Sequence, residues 1–186
     1  MIYILPTDTC YGIACALDDK KNYEKIYKIK KRSFDKPLAI MVKDFYWLRE
    51  NTNLTDEQVD FLERYEKPFT ILTNSDPVEL FLKYGDGDEE HFINKDIYEQ
   101  VAFRVASQTI DEDLVDKFGP IWLTSANLSG TWESYTFEEI QKDFEYYLEK
   151  NIVEVLWGYD LDSNIPASDV LSFVGESLEV EYLRKG

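Results

Sequence analysis

The apolar residues of this chain are grouped in short runs, which polar or turn-forming residues separate, and this pattern predicts strands. Each run is rich in β-branched or aromatic residues, which favour extended backbone. The predicted strands are Ile2–Leu5, Tyr11–Leu17, Leu38–Val42, Phe69–Thr73, Val101–Ala106, Ile121–Thr124, Ile152–Trp157, Asp169–Val174 and Leu178–Leu183.

Segments with the spacing of amphipathic helices lie between several of these strands. Two helix starts are well marked, because Thr55 with Gln58 and Thr136 with Glu139 fit the capping box. Strands that alternate with helices predict an α/β fold. A chain of 186 residues is typical of one domain, so we expect a single domain over residues 1–186. The predicted helices are residues 20–32, 44–50, 55–65, 78–84, 111–118 and 136–149.

The composition is that of a globular protein. Hydrophobic residues make up 44% of the chain, and no stretch approaches the roughly 20 apolar residues that span a bilayer. The apolar start, Met1–Leu5, is too short for a signal-peptide core and lacks a basic leader. We therefore expect a soluble, cytoplasmic protein without a membrane partner. Cys10 and Cys15 would lie on opposite faces of one strand, so we expect free thiols.

The net charge is −17 at pH 7, and such an acidic surface repels a polyanion. We therefore expect no tight binding of nucleic acid. Residues 20–36 are the exception, because they form a local cationic island that suits a small anion. The basic residues of this island are Lys20, Lys21, Lys25, Lys28, Lys30, Lys31, Arg32 and Lys36.

Several kinds of site are disfavoured. The single histidine, His91, lies in the polar stretch 74–100. We therefore expect neither a Ser-His-Asp triad nor a multi-histidine zinc site. The acidic run Asp86–Glu90 lacks the alternating ligand spacing of a calcium loop, so no metal site is predicted. The sequence has neither a P-loop nor a G-x-G-x-x-G turn. A nucleotide would have to be held by other groups.

Lys30 continues the apolar stripe that Ile26 and Tyr27 form on the first predicted helix, so its side chain is expected to point inward. One interpretation is that its stem lies on the core and its ammonium reaches water. The other is that it joins Arg32 and Lys36 around an anion. Clustered cations repel one another, and a bound polyphosphate would offset that repulsion.

Two further groups of polar residues lie in or after predicted strands. Arg104 shares a strand face with Ala102 and Ala106, which leaves space beside its guanidinium. It would either pair with a carboxylate at the edge of the core or bind a carboxylate or phosphate ligand. Ser125 and Asn127 would either cap the local backbone or bind ligand oxygens at the carboxyl end of a strand.

Taken together, several short motifs in this order resemble the YrdC/TsaC family. They cover nearly the whole chain, and their spacing also resembles that of the family. The motifs are Pro6–Gly12, Lys30–Arg32, Lys36–Leu38, Val101–Val105, Thr124–Gly130, Ser168–Val170 and Leu183–Gly186. The resemblance implies a twisted, open, mixed sheet flanked by helices, with a large, concave, positively charged cavity.

The resemblance also implies roles for individual residues. Lys30 and Arg32 match the family's Lys-x-Arg pair and would be catalytic as well as ATP-binding. The nucleotide would be held by Lys30, Arg32, Lys36, Ser125, Asn127 and Arg184. L-threonine would be held by Thr9, Arg104 and Ser168.

The implied activity is the synthesis of L-threonylcarbamoyl-AMP and pyrophosphate from L-threonine, bicarbonate and ATP, with Mg²⁺ on ATP. The product would pass to a tRNA threonylcarbamoyl transferase for the threonylcarbamoyladenosine modification of tRNA. No protein nucleophile is needed, so Cys10 is expected to be a small buried residue.

The chain departs from the family at the turn Glu66–Thr70 and at Gln100, where relatives have a serine or threonine. Two other functions therefore stay open. One is an RNA-binding YrdC-like module, which the acidic composition disfavours. The other is a paralogue that acts on another carbamoyl or carboxylate substrate.

Overall fold

The computed structural model of the chain describes residues 1–33, 36–73 and 100–186. Every predicted strand is present, with ends that differ by a few residues from the predicted ones. The strands are β1 Ile2–Pro6, β2 Tyr11–Ala16, β3 Ala39–Val42, β4 Phe69–Thr73, β5 Val101–Val105, β6 Ile121–Ser125, β7 Val153–Val155, β8 Asp169–Phe173 and β9 Val180–Arg184.

Most of the predicted helices are also present, and the described residues include α1 Lys20–Lys30, α2 Phe45–Asn51, α3 Asp56–Glu63, α4 Thr109–Phe118, α5 Phe137–Asp143 and α6 Glu145–Glu149. The capping boxes at Thr55 and Thr136 are confirmed. The prediction of one helix over 136–149 was wrong, because the segment breaks at Phe144. The predicted helix 78–84, the polar stretch around it and His91 lie outside the described residues.

The strands form one open, mixed sheet in the order β7-β1-β2-β6-β3-β5-β4-β8-β9. The pairs β1 with β7, β3 with β5, and β4 with β8 are parallel, and the other neighbours are antiparallel. The sheet does not close on itself, so the predicted open α/β architecture is confirmed. Its central strands, β6, β3 and β5, come from distant parts of the chain.

The two faces of the sheet are covered differently. On one face, helices α1, α2 and α3 contribute Tyr23, Leu48 and Val59 to the main hydrophobic core. On the other face, α4 packs Ile110 and Leu114 over one part of the sheet. A cavity lies on this second face, where small side chains replace the large ones.

None of the helices in the described part of the chain is long and apolar enough to cross a membrane. Both cysteines are buried free thiols, as the sequence predicts.

Candidate functional site

A cavity of about 470 Å³ lies over one face of the sheet. Its wall includes the turn between β1 and β2, the middle of β5, and residues near the ends of β6, β8 and β9. Ala39 and Ala102 lie in this wall, and their short side chains leave the space open. The volume falls in the range of small-molecule sites in proteins.

Gly12 leaves room for two side chains that line the cavity. A Cβ atom at Gly12 would lie 2.7 Å from Leu123 Cδ1 and 3.1 Å from Thr7 Cγ2. A larger residue would therefore push these two side chains out of their present positions.

Most of the predicted site residues line the cavity, although they come from distant positions in the sequence. The lining includes Thr9, Arg32, Lys36, Arg104, Ser125, Ser168 and Arg184. Lys30 and Asn127 are the predicted residues that do not form part of this lining.

Lys30 is only 1% exposed and lies behind the loop that follows β6. Its Nζ donates to the backbone oxygen of Ser125, to the backbone oxygen of Asn127 at 2.6 Å and to Asn127 Oδ1 at 3.3 Å. The side chain points inward as predicted, but its ammonium meets protein oxygens. Three acceptors match the three N–H donors of a charged lysine.

The main chain joins the same two elements. The Ser129 amide donates to the backbone oxygen of Lys30 at 2.8 Å. Burial, together with a smaller effect of the charge of Arg32, lowers the pKa of Lys30 to about 7. The end of α1 therefore holds the loop 125–129 through the buried amino group of Lys30 and a backbone hydrogen bond.

Within that loop, the polar side chains bind each other. Ser125 Oγ donates to Asn127 Oδ1 at 2.6 Å, and Asn127 Nδ2 donates to the backbone oxygen of Thr131 at 2.6 Å. Asn127 is 8% exposed, whereas Ser125 also faces the cavity. Asn127 thus shapes the loop that presents Ser125.

Arg104 is paired with a carboxylate. Its Nη2 forms an ion pair with Asp8 in the turn between β1 and β2, so the sequence alternative of an ion pair is present in this structure. Arginine has further N–H donors besides the one that Asp8 accepts, and Arg104 also lines the cavity. A ligand carboxylate could share the guanidinium with Asp8.

A second carboxylate lies close to this pair. Asp111, in the first turn of α4, is fully buried, and neither carboxylate oxygen makes a well-formed hydrogen bond with a described residue. Burial raises the pKa of Asp111 to about 7, while the Ser107 backbone and the charge of Arg104 oppose that rise only in part.

The far side of the cavity carries a small polar group. Thr70 Oγ1 lies 3.2 Å from Ser168 Oγ, and Arg184 Nη2 donates to the Ser168 backbone oxygen at 2.8 Å and to its hydroxyl at 3.1 Å. Arg184 therefore fixes the position of Ser168 while its own guanidinium faces the cavity.

Arg32 lies at the rim beside α1. Its Nε donates to the backbone oxygen of Lys36 at 2.9 Å, and its Nη2 donates to that of Pro37 at 3.0 Å. These bonds hold the guanidinium beside Lys36, so that two cations face one part of the cavity.

Cys10 also faces the cavity but is poorly suited to act as a nucleophile. Burial raises the pKa of its thiol, and the hydrogen bond from Thr9 and the charge of Arg104 only partly offset this effect. The thiol therefore stays protonated near neutral pH, in agreement with the sequence prediction of a small buried residue.

Sequence reasoning missed several lining residues, among them Thr7, Thr70, Glu133 and Tyr135. Thr70 has a signal in the sequence, since it lies on a predicted strand beside apolar residues. Glu133 and Tyr135 have no such signal, because nothing in the loop after β6 distinguishes inward from outward residues.

Comparison with known sequences identifies relatives over most of the chain. The profile of the Sua5/YciO/YrdC family, described as "Telomere recombination", matches residues 1–186. A relative from Methanocaldococcus jannaschii is 31% identical over 143 residues, which make up 76% of this chain and 62% of that protein. A threonylcarbamoyl-AMP synthase from Vibrio vulnificus is 30% identical over 142 residues, covering 73% of this chain and 70% of that protein. The alignment thus spans less than two thirds of the archaeal relative.

Solved structures share the fold. P. abyssi Sua5, in a crystal structure with L-threonine, has a TM-score of 0.73 at 22% identity, covering 98% of this chain and 49% of that one. E. coli YciO has a TM-score of 0.74 at 20% identity, covering 100% of this chain and 82% of that one. At these identities the likeness concerns the fold.

Proposed function

Because this chain belongs to the Sua5/YciO/YrdC family, we propose that it is a threonylcarbamoyl-AMP synthase. The observation that carries the proposal is the convergence of distant polar residues on one cavity, with the cations Arg32 and Lys36 in one part and Arg104 in another. A relative at 30% identity has this name, and a protein of the same fold has been crystallised with L-threonine.

ATP binds to Arg32, Lys36, Ser125 and Arg184, and Arg184, whose guanidinium donates to Ser168, lies between the nucleotide and threonine. The guanidinium groups of Arg32 and Arg184 suit phosphate oxygens, and the Lys36 ammonium adds a point charge. Mg²⁺ arrives on the phosphates of ATP as part of the substrate. The described residues contain no cluster of three metal-ligating side chains, and Mg²⁺ on ATP takes its oxygen ligands from phosphates and waters.

Lys30 and Asn127 act on the nucleotide through the loop 125–129. The ammonium of Lys30 is occupied by the oxygens of Ser125 and Asn127, so its effect is to hold Ser125 in place. We therefore assign Lys30 a positioning role instead of direct contact with phosphate.

L-threonine binds between Thr9, Arg104 and Ser168. The Arg104 guanidinium takes the carboxylate, while the hydroxyl groups of Thr9 and Ser168 offer hydrogen bonds to the rest of the substrate. The separation of cations between the two parts of the cavity allows both ligands to bind together.

The reaction needs no covalent intermediate with the protein. The threonine ammonium first loses a proton, the free amine adds to CO₂ derived from bicarbonate with release of a second proton, and the resulting carbamate oxygen attacks the α-phosphorus of ATP as pyrophosphate leaves. The protein would accelerate this step by aligning the two reactants and by stabilising negative charge with Arg32 and Lys36. A protonated Cys10 thiol fits this mechanism, which requires no nucleophilic side chain.

The product would then pass to a tRNA threonylcarbamoyl transferase. The net charge of −17 means that this chain repels a polyanion overall. This charge supports the proposal that another protein binds the tRNA.

The test is an assay of pyrophosphate release from ATP with the wild-type protein. We expect release that depends on both L-threonine and bicarbonate and that stops when either is omitted. ATP binding without threonine-dependent release would contradict the proposal and favour a paralogue with another carbamoyl or carboxylate substrate. Tight, salt-sensitive binding of tRNA by the same preparation would instead favour an RNA-binding module.

A further inference from the structure

Glu133 is a carboxylate in a cavity whose other charged lining residues are cations. It lies on the loop between β6 and α5, is half-buried and lines the cavity together with Thr9, Cys10 and Arg104. No described residue forms an ion pair or a hydrogen bond with its carboxylate, whereas Asp8 nearby is paired with Arg104. Among the described residues, Glu133 thus presents an unpaired carboxylate to the cavity.

The backbone that carries Glu133 is anchored to the wall of the cavity. The Tyr11 amide donates to the Ser134 backbone oxygen at 2.9 Å, and Ser134 Oγ donates to the Ala126 backbone oxygen at 3.3 Å. Downstream, the capping box of Thr136 and Glu139 fixes the start of α5. The carboxylate is thus attached to backbone that is anchored directly after Glu133.

Glu133 and Arg104 lie on the same part of the cavity, with opposite charges. Besides burial and the Thr9 hydrogen bond, both charges act on the Cys10 thiol, where Arg104 lowers the pKa and Glu133 raises it. The Thr9–Cys10 segment is therefore within electrostatic reach of the anion Glu133 and of two cations, Arg104 at the cavity and the buried Lys30. An α-amino acid is a zwitterion that carries the complementary pair of charges on adjacent groups.

We propose that Glu133 binds the α-ammonium group of the amino acid substrate while Arg104 binds its carboxylate. This inference rests on the proposed function, and it adds the group that recognises the amine and so orients the nitrogen that becomes the carbamate. A hydrogen bond between an ammonium and a carboxylate is charge-assisted, and it excludes ligands that lack the amine.

An ammonium group fits Glu133 better than Mg²⁺ does. A protein site for Mg²⁺ usually supplies one or two carboxylates while phosphates and waters complete an octahedron. A single carboxylate meets that requirement for either ligand, and what favours the ammonium is that Glu133 and Arg104 both act on the Thr9–Cys10 segment, which lines the cavity at the proposed threonine position.

The experiment measures binding of three ligands, L-threonine, 3-hydroxybutyrate and MgATP, by isothermal titration. 3-Hydroxybutyrate is threonine without its amine. The variant is Glu133→Gln, and Glu138→Gln is the matched control because Glu138 is exposed at the start of α5. For Glu133→Gln we expect threonine affinity to fall about 10- to 150-fold, with 3-hydroxybutyrate and MgATP unchanged, as for the loss of one charge-assisted hydrogen bond. For Glu138→Gln we expect no change with any ligand.

Unchanged threonine affinity in Glu133→Gln would overturn the proposal. A selective loss of MgATP affinity that disappears when ATP is titrated without Mg²⁺ would also overturn it, because the carboxylate would then bind the metal.

A panel of L-amino acids separates this inference from the proposed function. If the wild type binds another amino acid instead of threonine, the proposed function fails, and the effect of Glu133→Gln on that amino acid still decides the role of Glu133. If it binds none, both fail.

Discussion

Lys30 and Asp111 are both buried charged side chains, but their surroundings differ. Lys30 is 1% exposed and donates to three oxygens of the loop after β6. Asp111 is 0% exposed, and neither of its oxygens has a well-formed hydrogen bond with a described residue. Burying a charge costs several kcal/mol unless polar groups surround it. Lys30 has such groups around its amino group, whereas the carboxyl group of Asp111 does not among the described residues.

The difference indicates what each residue does. The oxygens around Lys30 belong to the loop that presents Ser125, so the energy that keeps the ammonium buried also fixes the shape of the site. Asp111 holds no such loop, and burial raises its pKa to about 7, just as burial lowers the pKa of Lys30 to about 7. We therefore expect Lys30 to control the geometry of the cavity, and Asp111 to control how the fold and Arg104 respond to pH.

The largest expected effect comes from Lys30→Met, which keeps the length of the side chain and removes its donors. The backbone oxygens of Ser125 and Asn127 would lose the hydrogen bond from Lys30, while Asn127 Oδ1 would keep only the one from Ser125 Oγ, and we expect the free energy of unfolding to fall by about 3–5 kcal/mol. Because the loop would also lose its position, ATP affinity should fall at temperatures where the variant is still folded. Chemical denaturation and titration with ATP measure the two effects.

Lys28→Met is the matched control for this change, because Lys28 is exposed on the same helix. It should leave both stability and ATP affinity close to those of the wild type. A folded Lys30→Met protein with normal ATP affinity would show that the buried ammonium does not position the loop.

The next effect is a change in pH dependence caused by Asp111→Asn. The pKa of Asp111 is about 7 in the folded protein and 3.8 as a model value, so the folded state keeps its proton when the unfolded state has lost it. The contribution of Asp111 to the stability of the wild type should therefore decline as pH rises from about 4 to about 7 and then level off. Asparagine cannot ionise, so the variant should lack this decline and gain up to about 4 kcal/mol relative to wild type by pH 8.

Asp113→Asn, an exposed change on the same helix, serves as the control and should keep the wild-type pH profile. Urea titrations at several pH values measure the difference. Parallel profiles for wild type and Asp111→Asn would mean that the carboxyl group titrates at its ordinary pKa and finds partners that offset its burial.

The fold was largely predictable because its signals are local. Alternating or continuous apolar runs identify each strand, and side-chain caps identify the starts of α3 and α5. The break between α5 and α6 was not predictable, because Phe144 ends one helix and begins the next while its ring stays fully buried. Helical periodicity continues through such a one-residue interruption.

The sequence predicted most of the residues that line the cavity, but it did not predict which residues they contact. The stripe on α1 indicates that Lys30 points inward, yet its acceptors come from residues almost one hundred positions later. The partner of Arg104 could not be read from the sequence for the same reason, since Asp8 lies in another turn. Asp111 appears as an ordinary acidic residue in the first turn of a helix, and only packing shows that it is buried.

The smallest of these effects concerns Arg104. Like Lys30, Arg104 has a polar partner, Asp8, and its charge also acts on Asp111. Arg104→Lys keeps the positive charge but removes the planar fork of N–H donors that can serve Asp8 and a ligand carboxylate at once. We expect threonine affinity to fall by about 1.5–3 kcal/mol, which is roughly 10- to 150-fold, with ATP affinity unchanged. Separate titrations of threonine and ATP measure the split, and Arg64→Lys, at an arginine whose side chain is 82% exposed, is the control. Equal losses for both ligands would mean that the Asp8–Arg104 pair organises the whole cavity. An unchanged threonine affinity would leave Arg104 with the ion pair as its only role.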